Sequence, residues 1–384
     1  MKIISIGSDR NLFKKDSEIQ KRIKEYGKLF EELHVIVFSD KKDGHSDMKL
    51  SDNVFIYPTN HSYKAFYLWN IYGIIKNLKL RIENSRNDFI VSCQDPFEAG
   101  LAGWLLKLWL NLPLQLQVHT DFLSPYFSSE SALNRFRVRL AKFLLLRADR
   151  IRVVSERIKS SLLTLDSRLP ACPARGQGLS TKIAVLPVFV DIKKIQSAKI
   201  KTDLHRKYSD NDFIILMASR LAKEKNIGMA IDAMPEMVEN HPKALLLIVG
   251  SGPEDDRLKF QAEKYGILDS NIRFEPWTDD LVSYYKTADL LLLTSNYEGY
   301  GRTVIEAMAA GLPVVMTDVG LAGEVLIDDL DGSVIPVGDK ESLSGKLIEL
   351  IGDLEKREGF IKNSLKAVES LLGKNEYLDA YKRI

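Results

Sequence analysis

The chain has 384 residues, which exceeds the usual size of one domain and predicts two. Its composition is 45% hydrophobic and 28% charged with a net charge of +2, which excludes a disordered chain and is typical of a globular protein. No apolar stretch is long enough to span a bilayer. The two cysteines, Cys93 and Cys172, predict neither a disulfide framework nor a metal site, and indicate a cytoplasmic location.

Short runs of β-branched and apolar residues alternate with longer amphipathic stretches along the chain. Strands that are apolar on both faces predict parallel sheets covered by helices on either side. The predicted fold class is α/β, with two doubly wound, Rossmann-like domains. The predicted strands lie at residues 3–6, 35–38, 89–92, 114–118, 151–154 and 183–186, and then at 213–218, 245–250, 272–276, 290–294, 313–317 and 333–337.

The domain boundary is expected close to residue 190. A first domain covers residues 1–190 and a second covers 191–370, with a linker at 187–191 that continues along the charged stretch 193–207. Residues 166–180 contain several prolines and glycines, and therefore predict a long surface loop.

Charge divides the chain into unlike halves: residues 1–200 carry a net charge of +12 and residues 201–384 carry −10. In the basic half, the stretch 131–150 places cations such as Arg135 and Arg139 beside apolar residues such as Leu133 and Phe136. Such a helix either lies on an anionic membrane, at its inner, cytoplasmic face, or is a domain helix with a solvated basic face. No nucleic-acid-binding motif is present, so nucleic acid is not a predicted partner.

The second half carries polar residues at the ends of predicted strands, where doubly wound sheets bind ligands. Arg220 and Lys225 follow the strand 213–218, where they either face one anion or are solvated loop charges. Gly250 and Gly252 follow the next strand and would let backbone amides approach a phosphate or ribose.

The segment 298–313 (EGYGRTVIEAMAAGLP) is the most informative part of the sequence. Its glycines keep the loop open, and a helix that starts near Thr303 would aim its positive N-terminus at a diphosphate. Glu306 can accept hydrogen bonds from the vicinal hydroxyls of a ribose, and Glu298 from the hydroxyls of another polar group. Alternatively, Glu306 is a solvated charge and Glu298 a residue that starts the helix.

Together these segments resemble the GT-B glycosyltransferases of family 4, which carry an E-x7-E motif in the C-terminal domain. Glu298 and Glu306 form that motif here, and the segments 147–156, 219–226, 248–253 and 288–315 match the family in the same order. The resemblance implies two Rossmann-like domains that face a cleft, with the donor held by the second. It also implies that the terminal residues, about 371–384, form a helix that packs back on the first domain.

The resemblance assigns roles to residues of the second domain. Arg220 and Lys225 would hold the donor diphosphate, Glu306 the ribose, and Glu298 the hydroxyls of the donor sugar. The remaining donor-binding residues that it implies are Gly250 and Gly252 in the glycine-rich turn, and Tyr300, Gly301, Arg302 and Thr303 at the start of the helix. The segment 275–278, with Trp277 and Thr278, would line the base pocket.

The first domain contributes fewer candidates. His119 follows the predicted strand 114–118, and the family presents a histidine to the donor sugar at this position; a lone histidine is otherwise more often structural. Gly7 follows the first strand and is expected on the donor side, although the family often has paired glycines there. Asp95 is predicted to cap the helix that begins near Phe97, or else to face the acceptor.

The implied activity is transfer of a sugar, with retention of configuration, from a nucleotide sugar such as a UDP- or GDP-sugar to a glycan or lipid-linked acceptor. The expected context is cell-surface polysaccharide or glycolipid synthesis, with neither a metal nor another cofactor required. Two alternatives remain: a nucleotide-sugar-binding protein without transferase activity, and a GT-B-like sugar-nucleotide epimerase. A dehydrogenase is disfavoured, since neither Gly7 nor Gly250 begins a complete GxGxxG pattern.

Overall fold

The computed structural model describes residues 1–62, 70–76, 88–167 and 178–383. The chain divides into two compact units: the first comprises Met1–Leu123, Ser131–Pro187 and Asn375–Ile384, and the second comprises Ser124–Glu130 and Val188–Lys374. The main boundary thus lies three residues before the expected position. Two groupings do not follow the order of the chain: the terminal residues join the first unit, as the resemblance implies, and the short segment 124–130 joins the second.

The first unit contains an eight-stranded sheet in the order β3-β4-β2-β1-β5-β6-β7-β8. All neighbouring strands are parallel except β3 and β4, which are antiparallel. The sequence did not predict β3 or β4, because both are short and β4 alternates between buried and half-buried residues. The strands are β1 Lys2–Gly7, β2 Glu32–Val37, β3 Met48–Ser51, β4 Val54–Pro58, β5 Phe89–Cys93, β6 Leu114–Val118, β7 Arg150–Val153 and β8 Ile183–Val185.

Helices cover the sheet of the first unit, and polar side chains cap several of them. Ser17 and Ser131 each accept a hydrogen bond from an amide of the first helical turn, which satisfies a donor that lacks a partner within the helix. Asp95 Oδ1 accepts from the amides of Phe97 and Ala99, which confirms the predicted capping role. The helices are Glu18–Gly27, residues 70–76, Glu98–Leu110, Ala132–Leu145, Glu156–Ser167 and Lys374–Arg383.

The second unit contains a six-stranded parallel sheet in the order β11-β10-β9-β12-β13-β14. Every residue of β9 and β10 is buried, as expected of central strands with helices on both faces. The strands are β9 Phe213–Ala218, β10 Ala244–Val249, β11 Ile272–Glu275, β12 Leu290–Leu293, β13 Val314–Thr317 and β14 Ser333–Ile335. The helices are Pro125–Ser129, Ile192–Ser197, Leu204–Lys207, Ile227–Asn240, Asp255–Lys264, Leu281–Thr287, Arg302–Ala309, Lys340–Gly352 and Leu354–Glu369.

The expected linker along residues 193–207 is wrong. Two short helices form there, and their starts are capped by Asp191 and Asp203. Thr202 also donates a hydrogen bond to Asp280 at 2.9 Å, which ties the stretch to the body of the second unit. The prediction failed because the solvated face of a surface helix and a flexible linker are both rich in charged residues. Of the predicted loop 166–180, residues 168–177 lie outside the described part of the chain.

Each sheet has a switch point, the place where successive strands begin to be added on the opposite side. It lies between β1 and β5 in the first unit and between β9 and β12 in the second. Ligands of doubly wound folds bind at the carboxyl ends of the strands beside such a point. Within the described ranges, no helix is both long and apolar enough to cross a membrane.

Candidate functional site

A cavity of ≈ 330 Å³ opens at the switch point of the second unit. The strands β9 and β12 pair at two positions, Ile215 with Leu290 and Leu216 with Leu291. Their carboxyl ends are therefore not hydrogen-bonded to each other. The cavity begins where the pairing stops. Its lining comprises Met217, Ala218, Ser219, Arg220, Lys225, Trp277, Leu291, Leu292, Leu293, Thr294, Ser295 and Thr303.

Arg220 stands at the mouth of this cavity on the loop after β9. Its side chain is 69% exposed and donates to Glu224, which is mostly buried. The loop is held by Gly250 and Gly252, because a Cβ at Gly250 would lie 1.9 Å from the carbonyl oxygen of Ser219 and one at Gly252 would lie 2.2 Å from that of Leu221.

The two glycines therefore serve close packing of two loops. The amide of Gly250 donates to the carbonyl of Glu275 at 2.9 Å, so it is engaged within the sheet. The expected approach of this amide to a phosphate is thus replaced by a supporting role: the glycine turn brings the backbone of residues 219–221 to its position.

Lys225 and Glu298 form an ion pair inside the cavity region. Lys225 Nζ lies 2.5 Å from Glu298 Oε1, and both side chains are largely buried. Ser295 Oγ donates to the same carboxylate oxygen at 2.8 Å. The loop that carries Lys225 is fixed by Thr294, whose hydroxyl lies 2.9 Å from the carbonyl oxygen of Lys225. A lysine pointing into a partly desolvated cavity with one carboxylate partner is ready to exchange that partner for another anion.

Glu306 lies on the first turns of the helix Arg302–Ala309. Its Oε1 accepts from Arg302 Nε at 2.6 Å and its Oε2 accepts from the hydroxyl of Tyr285 at 3.1 Å. Burial and the neighbouring Glu306 carboxylate raise the pKa of Tyr285 well above its ordinary value, so the phenol stays protonated as a donor. A carboxylate has about four lone-pair sites, so each oxygen of Glu306 retains capacity for another hydroxyl. The alternative of a freely solvated charge is wrong for Glu306.

The same helix begins at Gly301, which adopts a φ of 102° in the left-handed region that favours glycine. As the N-cap residue, Gly301 has no side chain with which to cap this helix. The first amides of a helix lack intrahelical partners and carry the positive end of its dipole, so this end can receive an anion. Thr303 lines the cavity from here. Tyr300 is buried, and its carbonyl accepts from the amide of Leu321 at 2.9 Å.

The predicted base-binding segment divides into two parts. Trp277 is 54% exposed and lines the cavity, which leaves a face of its indole open. Thr278 instead accepts a hydrogen bond from the amide of Asp280 at 3.1 Å, at the start of the next helix. The carboxylate of Glu275 accepts from Lys207, Tyr208 and Tyr284, and these donors lower its pKa although burial opposes the shift. Glu275 is therefore part of the scaffold.

A segment from the first half of the sequence also supports this region. The hydroxyl of Tyr297, the residue before Glu298, donates to Glu130 Oε2 at 3.0 Å. The ring of Phe127 meets that of Tyr297 edge-on, with centroids 5.5 Å apart. Burial and the Glu130 carboxylate raise the pKa of Tyr297. The sequence did not predict this contact, because nothing in residues 124–130 indicates a partner so distant along the chain.

The two candidates of the first domain lie in the first unit, at the carboxyl ends of its strands. A Cβ at Gly7 would lie 2.3 Å from Gln94 Oε1, so the glycine makes room for that side chain. His119 follows β6 and lies with its Nε2 3.0 Å from Gln117 Oε1. Desolvation by nearby protein atoms and the charge of Arg152 both lower the pKa of His119 below its ordinary value.

Four of the predicted site residues thus line one cavity: Arg220, Lys225, Trp277 and Thr303. Glu298 lies beside it and forms an ion pair with Lys225. Sequence reasoning missed Ser295, Glu224 and Tyr285. Glu224 lies in the segment 219–226 and Ser295 in the segment 288–315, so their places in these motifs could have indicated them. No sequence pattern indicates Tyr285. Among the residues described, no group of three or more His, Cys, Asp or Glu is arranged to hold a metal ion. The expectation that no metal is required stays a prediction.

Both halves of the chain match known glycosyltransferase families. Residues 201–367 match the family described as Glycosyl transferases group 1, and residues 23–193 match Glycosyltransferase Family 4. These matches confirm the predicted relation to the GT-B glycosyltransferases. They do not bear on retention of configuration.

Curated relatives are similar over part of their length. The chain is 28% identical over 177 residues to UDP-Gal:alpha-D-GlcNAc-diphosphoundecaprenol alpha-1,3-galactosyltransferase of Escherichia coli, with 45% of this chain and 46% of the relative covered. It is 28% identical over 195 residues to phosphatidyl-myo-inositol mannosyltransferase of Mycolicibacterium smegmatis, covering 50% and 49%. The chain spans less than half the length of the first curated relatives that it matches.

Solved structures are similar over the whole chain. HepE of Anabaena in complex with UDP superimposes with a TM-score of 0.71 at 18% identity, covering 100% of this chain and 98% of that one. Sucrose-phosphate synthase from Thermosynechococcus elongatus gives a TM-score of 0.79 at 17% identity, again covering 100% and 98%. At such identities the likeness establishes the fold, and the predicted GT-B fold is confirmed.

Proposed function

We propose that this chain is a retaining glycosyltransferase. It transfers a sugar from a nucleotide sugar, such as a UDP- or GDP-sugar, to a glycan or lipid-linked acceptor in the synthesis of cell-surface polysaccharide or glycolipid. The observation that carries the proposal is the cavity at the switch point of the second unit, where Arg220 and Lys225 line the same space as Thr303, in the first turn of the helix Arg302–Ala309.

The donor diphosphate lies at these positive groups. Arg220 and Lys225 exchange Glu224 and Glu298 for phosphate oxygens, and the helix amides contribute further hydrogen bonds. Glu306 accepts hydrogen bonds from the ribose hydroxyls through its remaining lone pairs, and the open face of Trp277 stacks on the base. Complexes of the structural neighbour HepE with UDP and with UDP-glucose support a uridine nucleotide as the first candidate.

The chemical step breaks the bond between the anomeric carbon and the diphosphate oxygen and forms a bond to the acceptor oxygen on the same face. The acceptor hydroxyl passes its proton to the leaving phosphate. Preorganised positive charge at Arg220 and Lys225 stabilises the negative charge that develops on the diphosphate, an effect commonly worth several kcal/mol. Neither a metal nor another cofactor takes part, so a chelator is expected to leave turnover unchanged.

Glu298 binds hydroxyls of the donor sugar and is not a nucleophile. It is already held by Lys225 and Ser295, which reduces its nucleophilicity. Retaining glycosidases instead place two carboxylates about 5–5.5 Å apart and form a covalent intermediate. We expect Glu298→Gln to lower turnover without trapping an adduct. Intact-mass detection of a glycosylated protein during turnover would refute this mechanism.

The names of relatives support the class of acceptor. One acts on a diphosphoundecaprenol-linked sugar, one is a poly(glycerol-phosphate) alpha-glucosyltransferase of Bacillus subtilis, and one is a phosphatidyl-myo-inositol mannosyltransferase. Two of these names denote α-linked products, which agrees with retention from an α-linked donor. A protein that binds the donor without transfer, or an epimerase, stays an alternative that an acceptor assay separates.

A thermal-shift screen tests the donor site. UDP, GDP, ADP and CDP and their sugar conjugates are added to the wild type and to Arg220→Ala and Glu306→Ala. A ligand at 100 times its Kd stabilises the protein by about 2.7 kcal/mol, which moves the melting temperature visibly. Arg206→Ala removes an 87% exposed arginine of the same unit and serves as the matched control. One nucleotide should stabilise the wild type and the control only; no shift with any nucleotide contradicts the proposal.

We also propose that the first unit contacts an anionic membrane, at its cytoplasmic face. On the helix Ala132–Leu145 the buried residues are Asn134, Ala141, Leu144 and Leu145, whereas Leu133 and Phe136 are 50% and 58% exposed. The apolar face expected from the sequence is therefore largely the exposed one. The adjacent helix Glu98–Leu110 is apolar on most of its circumference, and Leu108 on its outer side is 62% exposed. Exposed apolar residues beside Arg135 and Arg139 suit a lipid surface of negative charge.

Vesicle sedimentation tests the membrane contact. Phosphatidylglycerol vesicles should retain the wild type at low salt, and phosphatidylcholine vesicles should not. Leu133→Ser with Phe136→Ser should release the protein, whereas Phe260→Ser, which removes a 57% exposed phenylalanine from the second unit, should not. Equal binding of all three forms would contradict the membrane contact. So would a dimer of the chain whose interface buries Leu133 and Phe136.

A further inference from the structure

His119 makes a hydrogen bond whose direction decides which of its two ring nitrogens carries the proton. Its Nε2 lies 3.0 Å from the side-chain oxygen of Gln117, two residues earlier on the same strand. A neutral imidazole carries one proton, and the nitrogen without it is an acceptor. The orientation of the Gln117 amide therefore determines the tautomer of His119.

The amide of Gln117 is fixed at both ends by buried neighbours. Its nitrogen donates to Ser92 Oγ at 2.9 Å, and Ser92 in turn donates to Gln115 Oε1 at 2.7 Å. Its oxygen accepts from Arg152 Nη1 at 3.3 Å. A guanidinium only donates, so it selects the oxygen end of the amide. The second lone pair of that oxygen then receives the Nε2 proton of His119.

Arg152 is well placed to impose this orientation. It is 4% exposed, and in the described part of the chain its guanidinium donates to the carbonyls of Leu186 and Pro187 and to the hydroxyl of Tyr377. Its Cζ also lies 5.0 Å from the centre of the Tyr381 ring. These contacts hold the side chain in one place, and a guanidinium remains charged at any ordinary pH.

We propose that Arg152, acting through Gln117, is a positioning residue that holds His119 as the neutral Nε2–H tautomer and leaves Nδ1 as an acceptor for a ligand hydroxyl. The identity of that ligand rests on the proposed function; the tautomer does not. In this arrangement His119 receives a proton from a ligand hydroxyl in a hydrogen bond and cannot donate one from Nδ1. The low pKa of His119, caused by desolvation and by the charges of Arg152 and Arg22, agrees with a neutral ring.

Long-range ¹H–¹⁵N NMR on the full chain labelled with ¹⁵N-histidine measures the tautomer directly. The chain has six histidines, and His119→Asn identifies the signals of this one. In the wild type the two nitrogens should differ in ¹⁵N shift as expected for a single Nε2–H form, in about tenfold or greater excess. Gln117→Leu should move the two shifts toward each other, because the tautomers then interconvert freely. Gln117→Glu, an acceptor only, should restore their separation.

Two further variants separate positioning from structural damage. Arg152→Met should have the same effect as Gln117→Leu, and the latter decides the matter if the former does not fold. Gln115→Leu removes an amide from the same strand and the same chain of hydrogen bonds, but should leave the tautomer unchanged. An Nδ1–H form in the wild type, or shifts unaffected by Gln117→Leu, overturns the proposal. Failure of transferase activity with the tautomer confirmed refutes only the proposed function.

Discussion

The two units share a doubly wound architecture but differ at their switch points. In the second unit, β9 and β12 separate after two paired residues, and cations enter the resulting cavity. In the first unit, Gln94 packs over Gly7 beside the equivalent point, and the neighbouring strand ends carry amides, Ser92 and a neutral histidine. One topology therefore gives two kinds of site, and the charge of the residues after the strands determines which can hold a diphosphate.

The comparison also separates two uses of charge within the second unit. Lys225 and Arg220 have one carboxylate partner each at the cavity, whereas Glu275 is saturated by three donors away from it. A charge with one exchangeable partner is available to a ligand, and a charge with several fixed partners supports the fold.

The largest effect is expected from Lys225→Met. The change removes a phosphate partner and leaves Glu298 buried without its cation, so we expect the affinity for UDP, measured by titration calorimetry, to fall about 100-fold. Lys259→Met removes a lysine of the same unit that pairs with Asp255 four residues earlier, and should change the affinity by less than about twofold. Equal losses in both variants would remove the distinction between cavity charges and supporting charges of the second unit.

Glycine substitutions compare the two switch points directly. A Cβ at Gly252 would meet the backbone of Leu221, which cannot yield without moving the Arg220 loop, so Gly252→Ala should destabilise by about 1–3 kcal/mol. A Cβ at Gly7 would meet the side chain of Gln94 and no backbone atom among its nearest contacts, so Gly7→Ala should cost less than about 1 kcal/mol. Melting temperatures measure both. Gly345→Ala, in a helix with open space, is the control and should be neutral or stabilising. A larger loss for Gly7→Ala would reverse the comparison.

Glu275→Gln tests the scaffold charge. The donors Lys207, Tyr208 and Tyr284 lower the pKa of Glu275 below its ordinary 4.5, so its contribution to stability is full above that pH and is lost as the pH falls through the folded-state value. The variant should be less stable by about 1.5–3 kcal/mol at pH 7, and the difference should shrink on acidification. Melting curves from pH 7 to pH 4 measure it. A difference that grows on acidification would contradict the account.

The smallest effect is expected from Tyr285→Phe. The hydroxyl that orients Glu306 is lost while its carboxylate and the partner Arg302 remain, so the affinity for UDP should fall about threefold to tenfold. Comparison with a ribose-modified nucleotide, 2′-deoxy-UDP, shows whether the loss occurs at the ribose. An equal loss of affinity for UDP and for 2′-deoxy-UDP would show that Tyr285 does not act through the ribose 2′-hydroxyl.

Much of the second unit could be predicted from sequence because its site is built from short segments that directly follow buried strands. A polar stretch directly after an apolar run identifies Arg220, Lys225 and the segment around Glu298. Tyr285 could not be found, because its hydroxyl meets Glu306 only after two helices pack. The role of Gly250 was misjudged for a related reason: the residue that forbids a side chain there, Ser219, is distant in sequence.

The first unit was less predictable. Short strands such as β3 and β4 lack a long apolar run, and the segment 124–130 groups with the second unit through Tyr297, which no local pattern indicates. The buried Arg152 looked like one more cation of a basic half, since sequence does not distinguish a charge that is enclosed from one that is solvated.

A crystal structure of the chain with UDP tests the central claim most directly. The account predicts that the diphosphate contacts Arg220, Lys225 and the first amides of the helix Arg302–Ala309, with the ribose hydroxyls on Glu306 and with Lys225 released from Glu298. A nucleotide bound anywhere else, or a nucleotide at this cavity with the Lys225–Glu298 pair intact and Glu306 without contact, would contradict it.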